Sequence, residues 1–131
     1  MEVKYVPLKE LNELSGKVIN AAMEVHTYHG PGLLESIYSD SLAIELKERG
    51  FEVDTEVVIP VSYKGIPLNK YKKIDMMVEK KIILEIKAVE AILPVHQQQL
   101  LTYLKISGIR LGLLLNFNTE RLKDGITRVI R

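Results

Sequence analysis

The sequence contains no cysteine, which removes a disulfide framework, thiol catalysis and cysteine-ligated zinc or iron–sulfur centres from consideration. No apolar run approaches the ~18–20 residues of a membrane span, and the opening Met1-Glu2-Val3-Lys4 lacks the features of a signal peptide. A soluble, cytoplasmic protein with no membrane partner is therefore expected. Excess charge is missing as well. A formal net charge of +1 at pH 7 gives no global attraction to nucleic acid or membrane, so polyanion binding would need a local patch. No repeat, linker or low-complexity segment divides the chain. Its 131 residues suffice for one domain, 1–131, with its own core.

What is present reads as alternating helix and strand signals. Leu11, Leu14, Val18, Ala21, Val25 and Tyr28 form one stripe of a helix over about 8–28. His29-Gly30-Pro31-Gly32 stops the chain and restarts it. A second helix over about 33–49 is expected to pack through Leu34, Ile37, Tyr38, Leu42 and Leu46, and Gly50 ends it. After Gly50 the chain turns β-branched: residues 52–63 predict a strand that Pro60 kinks or places at an edge, and Lys64-Gly65 turns it. Pro94 opens a helix to about Ser107 with Leu100, Leu101, Leu104 and Ile106 apolar; 110–116 reads as a buried strand and 125–131 as a last one. The predicted order is α-α-β-β-β-α-β-β.

The segment between the first strand and the third helix carries the chemistry. Ile74-Asp75-Met76-Met77-Val78 and Ile82-Ile83-Leu84-Glu85-Ile86-Lys87-Ala88 are apolar runs separated by Glu79-Lys80-Lys81, the pattern of a hairpin. With its turn centred on Lys80, Asp75 faces Glu85, and alternation puts Lys87 on the same face. Opposed carboxylates among apolar neighbours repel and are costly to desolvate, so something must compensate them. A divalent cation would do so. Two carboxylates and a lysine are what a magnesium-dependent phosphodiesterase requires. The competing readings are a helix, since 79–92 also carries Glu and Lys at helix-compatible spacings, and an edge strand whose inward charges only block aggregation.

This order and these residues resemble the PD-(D/E)xK nuclease superfamily, with its restriction-endonuclease-like αβββαβ core: a mixed central sheet flanked by helices, here with an extra N-terminal helix. Asp75 and Glu85-Ile86-Lys87 match the acidic motif, with Ile74 in place of the preceding Pro. Gln99 and Tyr103 match a Gln-x-x-x-Tyr spacing found after the hairpin in some recombination nucleases. A closer resemblance is to the small GxxExxY proteins, through Gly32-Leu33-Leu34-Glu35-Ser36-Ile37-Tyr38. Glu24-Val25-His26, Gly30-Pro31-Gly32, Pro94-Val95-His96 and Leu113 to Asn118 extend it over about 8–131.

The resemblance implies a metal-dependent nuclease acting on nucleic acid, DNA ahead of RNA. Asp75, Glu85 and the Ile86 carbonyl would bind Mg2+ or Mn2+, with Glu35 at a second metal or its waters. Glu35, Asp75, Glu85, Lys87 and Gln99 would form the catalytic set, Lys87 acting on the attacking water and Gln99 on a phosphate. Taken alone, Glu35 also suits a first helical turn through the dipole, and Tyr38 and Tyr103 suit packing. Lys64, Lys70, Lys72 and Lys73, with Lys80 and Lys81 in the turn, form a basic cluster suited to a phosphate backbone, and Tyr103 is grouped with that nucleic-acid contact. Lys73 would fall opposite Lys87. His26, His29 and His96 raise a zinc reading that the lack of cysteine disfavours, His96 suiting a helix cap or a phosphate better. An inert nucleic-acid-binding module, a protein-interaction domain and a homo-oligomer are all compatible with the sequence.

Overall fold

The computed structural model describes residues 5–131; Met1–Lys4, the segment read against a signal peptide, lie outside the described residues. The elements are α1 (Leu8–His29), α2 (Glu35–Glu48), β1 (Val53–Tyr63), β2 (Ile66–Val78), β3 (Ile82–Lys87), α3 (Pro94–Ser107), β4 (Leu111–Asn116), a 3-10 turn (Leu122–Gly125) and β5 (Ile126–Ile130). The five strands form one mixed sheet in the order β1-β2-β3-β4-β5. Only β3 and β4 run parallel, because α3 carries the chain from one to the other. No helix among the described residues is long and apolar enough to cross a membrane.

Side-chain alternation along the strands feeds two cores. Met76, Val78, Leu84, Ile86, Leu113 and Leu115 pack with α1 and α2. Ile74, Met77, Ile83 and Leu114 pack with Leu100, Tyr103 and Leu104 of α3. The central β4 is buried throughout and β3 is buried as far as Ile86, which explains the apolar runs 82–84 and 113–115. Gly112 brings α3 close to the sheet: a Cβ there would stand 2.7 Å from Leu100 Cδ1.

Three packing expectations need correction. Tyr28 is exposed, because the inward position of the last turn of α1 is taken by His26, whose Nε2 lies 2.8 Å from the Thr119 carbonyl. Leu34 is exposed, since α2 starts only at Glu35 and Leu34 is extended before it. Ile37 is also exposed; Tyr38, Leu42, Ala43 and Leu46 form the inward face. The β1–β2 hairpin is longer than expected, since β2 begins at Ile66 rather than near Ile74. Lys64 and Gly65 turn it with φ of 49° and 79°, the left-handed pair that matches strand twist in a tight hairpin.

The β2–β3 register is the expected one: Met76 pairs with Leu84, Met77 with Ile83 and Val78 with Ile82. Glu79 and Lys80 turn the chain at positive φ. Glu52 holds that turn: its N–H donates to the Glu79 carboxylate at 2.5 Å, and its carbonyl accepts the Glu79 N–H at 2.9 Å.

Candidate active site

Asp75 sits where two strand ladders are interrupted. The β2–β3 pairing stops at Met76–Leu84, and one further step would set Asp75 against Glu85. Instead the strands part, and Asp75 Oδ2 accepts the Ile86 N–H at 2.9 Å. On its other side β1 passes from Thr55–Met76 to Val57–Ile74, with Glu56 between them at φ 51°. This kink changes the phase of the strand. Ile74 faces α3, whereas Met76 faces α1 and α2. Asp75, half-buried at the break, lines a cavity with Glu35, Asp40, Glu56, Lys73 and Ile86.

Glu85 is buried on β3, with one carboxylate oxygen, Oε1, fully enclosed and without a hydrogen-bond partner. Burial, more than any other effect, pushes its carboxyl up to about 8; the Asp75 charge adds to this, and Glu35 contributes further. Lys87 and the Asp75 backbone N–H act in the opposite direction. The four groups named in the sequence therefore share one electrostatic neighbourhood. Tyr103 belongs to it as well: burial, then Glu85 and Asp75, raise its phenol above the usual range.

The donor set is oxygen-only and acidic, and a buried carboxylate oxygen lacks a partner. That is chemistry suited to a hard divalent cation. Among the described residues no three His, Asp or Glu side chains converge into a closed cage. Glu35, Asp75 and Ile86 border one cavity, and Glu85 is not among the residues lining it.

A family model of the PD-(D/E)XK nuclease superfamily matches residues 12–129. The chain belongs to that superfamily. No curated protein and no solved structure gives a significant match. Membership assigns a nuclease-type function in general terms, with nucleic acid as the class of substrate. Nucleases of the superfamily generally use divalent metal ions.

The remaining sequence candidates sort by position. Gln99 is exposed on α3, one turn before Tyr103. Tyr103 itself is buried under α3 against the sheet, packed with Leu100 and Leu104. Lys73 does not oppose Lys87; it pairs with Val58 across β1, with Nζ 3.8 Å from Glu56. Lys80 and Lys81 leave the basic cluster, being paired with Glu52 at 3.2 Å and Glu10 at 3.1 Å. Each histidine has a local polar neighbour. His26 is at Thr119, His29 Nε2 lies 2.8 Å from Ser41 Oγ, and His96 Nδ1 accepts the Leu93 N–H at the start of α3.

Asp40 and Glu56 also border the cavity, and local sequence pattern does not mark either of them. Asp40 is five residues on from Glu35, a spacing that does not by itself mark a shared helix face. Glu56 is brought in by its own left-handed backbone, which an ordinary strand residue rarely adopts.

The loop before α2 is tied by Tyr38. Its hydroxyl donates to the Gly30 carbonyl at 2.5 Å and accepts the Leu33 N–H at 3.1 Å, while its ring stacks on Phe117 with centroids 4.7 Å apart. Gly32 in the same loop has φ 97°, a conformation that favours glycine. Tyr38→Phe keeps the stack and strips both hydrogen bonds, so a loss of about 1–3 kcal/mol is expected in urea denaturation. An unchanged midpoint would mean the tie contributes nothing to stability.

Proposed function

We propose that this protein is a Mg2+- or Mn2+-dependent nuclease that hydrolyses phosphodiester bonds at the Asp75–Glu85–Lys87 site. The observation that carries this reading is the buried, unpartnered Glu85 oxygen beside Asp75, an arrangement that destabilises the fold and suits a cation. Within the superfamily, the placement of Gly32, Glu35 and Tyr38 around one loop supports kinship with the GxxExxY proteins.

Asp75, Glu85 and the Ile86 carbonyl would hold the ion, with Glu35 from the N-terminus of α2 at a second ion or its waters. A bound divalent ion supplies Lewis-acid polarisation and lowers the pKa of water. Lys87, half-buried on the strand that carries Glu85, places an ammonium beside the carboxylates, where it helps orient the attacking water and offsets charge developing on the phosphate. Asp75 is fixed by the Ile86 N–H, which keeps its other oxygen available. Gln99 would contact a phosphate from α3.

The test is incubation of purified protein with labelled DNA and RNA, single- and double-stranded, in magnesium, manganese and EDTA. Cleavage that EDTA abolishes is the expected outcome. Lys87→Ala should then lose roughly a hundredfold or more in rate while retaining metal-induced stabilisation, since the carboxylates remain. Equal cleavage by the variant would remove Lys87 from the mechanism. A second reading, a nucleic-acid-binding module without turnover, draws on the carboxylates of the described residues not forming a group of three. Binding without cleavage under every metal condition would put it first.

A further inference from the structure

The long β1–β2 hairpin outreaches the sheet. Strand β3 pairs only with residues 76–78 of β2, so the hairpin from Val57 to Ile74 continues as a two-stranded ribbon. Its composition is one-sided. From Val57 to Lys73 there are four lysines, Lys64, Lys70, Lys72 and Lys73, and no acidic residue. Removing those four from a formal balance of +1 leaves the rest of the chain at −3. Among the described residues no carboxylate lies within 4 Å of Lys64, Lys70 or Lys72.

The register assigns the lysines to faces. Directly paired residues share a face. Lys72 opposite Ile59 and Lys70 opposite Val61 lie on the side of Ile59 and Ile74, which pack towards α3. Lys73 opposite Val58 and Tyr71 opposite Pro60 lie on the other side, where Lys73 borders the Asp75 cavity. Lys64 is at the tip, with Nζ 5.3 Å from the Tyr63 ring centroid. Tyr63 and Tyr71 are both exposed.

Lysines on both faces and at the tip, Lys73 paired with Glu56 at 3.8 Å and the other three unpaired among the described residues, are not what a single strand lying along one face would need. It suits a groove with a phosphate backbone on either side, and the major groove of duplex DNA is wide enough for a two-stranded β-ribbon. On one face, Tyr71 and Lys73 lead in steps of two residues, ~7 Å each, to Asp75. We infer that the β1–β2 ribbon is a duplex-DNA grip that enters a groove and delivers one backbone to the Asp75 cavity. This inference rests on the phosphodiesterase reading for its direction, and its test does not depend on cleavage.

The experiment is fluorescence anisotropy of a labelled DNA duplex, and of one of its single strands, in EDTA across a salt series. The wild type should bind duplex more tightly than single strand. Lys64→Ala/Lys70→Ala/Lys72→Ala should flatten the plot of log affinity against log salt by about 0.9 for each phosphate that the variant no longer neutralises. A control of equal charge change on exposed lysines elsewhere, Lys47→Ala/Lys105→Ala/Lys123→Ala, should keep the wild-type slope. Thermal melts establish that both triple variants are folded, as expected for exposed positions. A ribbon variant with wild-type slope, a control whose slope falls as much, or a wild type that prefers single strand or binds no duplex would each overturn the inference. Wild-type cleavage with an unaltered ribbon variant would leave the nuclease reading standing alone. Ribbon-dependent duplex binding without cleavage in any metal would do the reverse.

Discussion

Asp75→Asn should abolish both nucleic-acid cleavage and the stabilisation conferred by divalent metal. In the wild type, manganese at ~100 times its dissociation constant should add about 2.7 kcal/mol to stability, enough to raise the melting temperature by several degrees. Asparagine keeps an oxygen for the Ile86 N–H, the bond that Asp75 makes at 2.9 Å, so the strand break should persist. What it removes is the negative charge beside Glu85. Asp75→Ala removes the charge and the acceptor together, and leaving the Ile86 N–H unpaired should cost a further 1–3 kcal/mol or so in metal-free protein. Differential scanning fluorimetry with and without manganese, paired with an oligonucleotide cleavage assay, separates the two effects. If the Asn variant still gains stability from manganese as the wild type does, the ion binds elsewhere and the Asp75 assignment fails.

The sequence disclosed Asp75 and Glu85 because opposed carboxylates in apolar strands are rare without a reason, and the turn at Glu79–Lys81 set their register. It did not disclose that the strands part at this point. Nor did it disclose Glu56 at φ 51° on the other side of Asp75, since nothing in the run Asp54-Thr55-Glu56-Val57 marks a left-handed residue. Local pattern therefore put both residues forward as candidates, while the cavity that Asp75 borders needed tertiary placement of α2 and β1. The ribbon shows the same division. Its lysines were visible as a cluster, but their assignment to two faces required the cross-strand pairing of Lys70, Lys72 and Lys73. Lys80 and Lys81 looked equivalent in sequence and differ because Glu52 and Glu10, far off in the chain, neutralise them. Tyr28 and Leu34 were misplaced for a simpler reason: helical periodicity extrapolates past an end, where packing no longer follows it.

Glu85→Gln should make the metal-free protein more stable at pH 8 while eliminating catalysis. Burial and Asp75 raise the Glu85 carboxyl from an ordinary 4.5 to about 8 in the folded state. Below pH 4.5 the group is protonated both folded and unfolded, and it imposes no penalty. As pH rises from about 4.5 to about 8 the unfolded chain loses the proton and the folded chain keeps it, so stability falls, by at most about 1.4 kcal/mol per pH unit. Above about 8 both states are ionised and the loss is complete, on the order of a few kcal/mol. Glutamine has nearly the same shape and does not titrate. Its amide N–H can donate towards Asp75, so the enclosed position gains a partner where Glu85 Oε1 has none. Urea denaturation in EDTA should therefore show the variant close to wild type at pH 4.5 and well above it at pH 8. The same proton must leave before a cation can bind, so wild-type metal affinity should strengthen as pH approaches 8. Should the stability gap between Glu85→Gln and wild type stay constant from pH 4.5 to 8, Glu85 would be an ordinary carboxylate in the folded protein. The buried, uncompensated charge that calls for a cation at this site would then not exist.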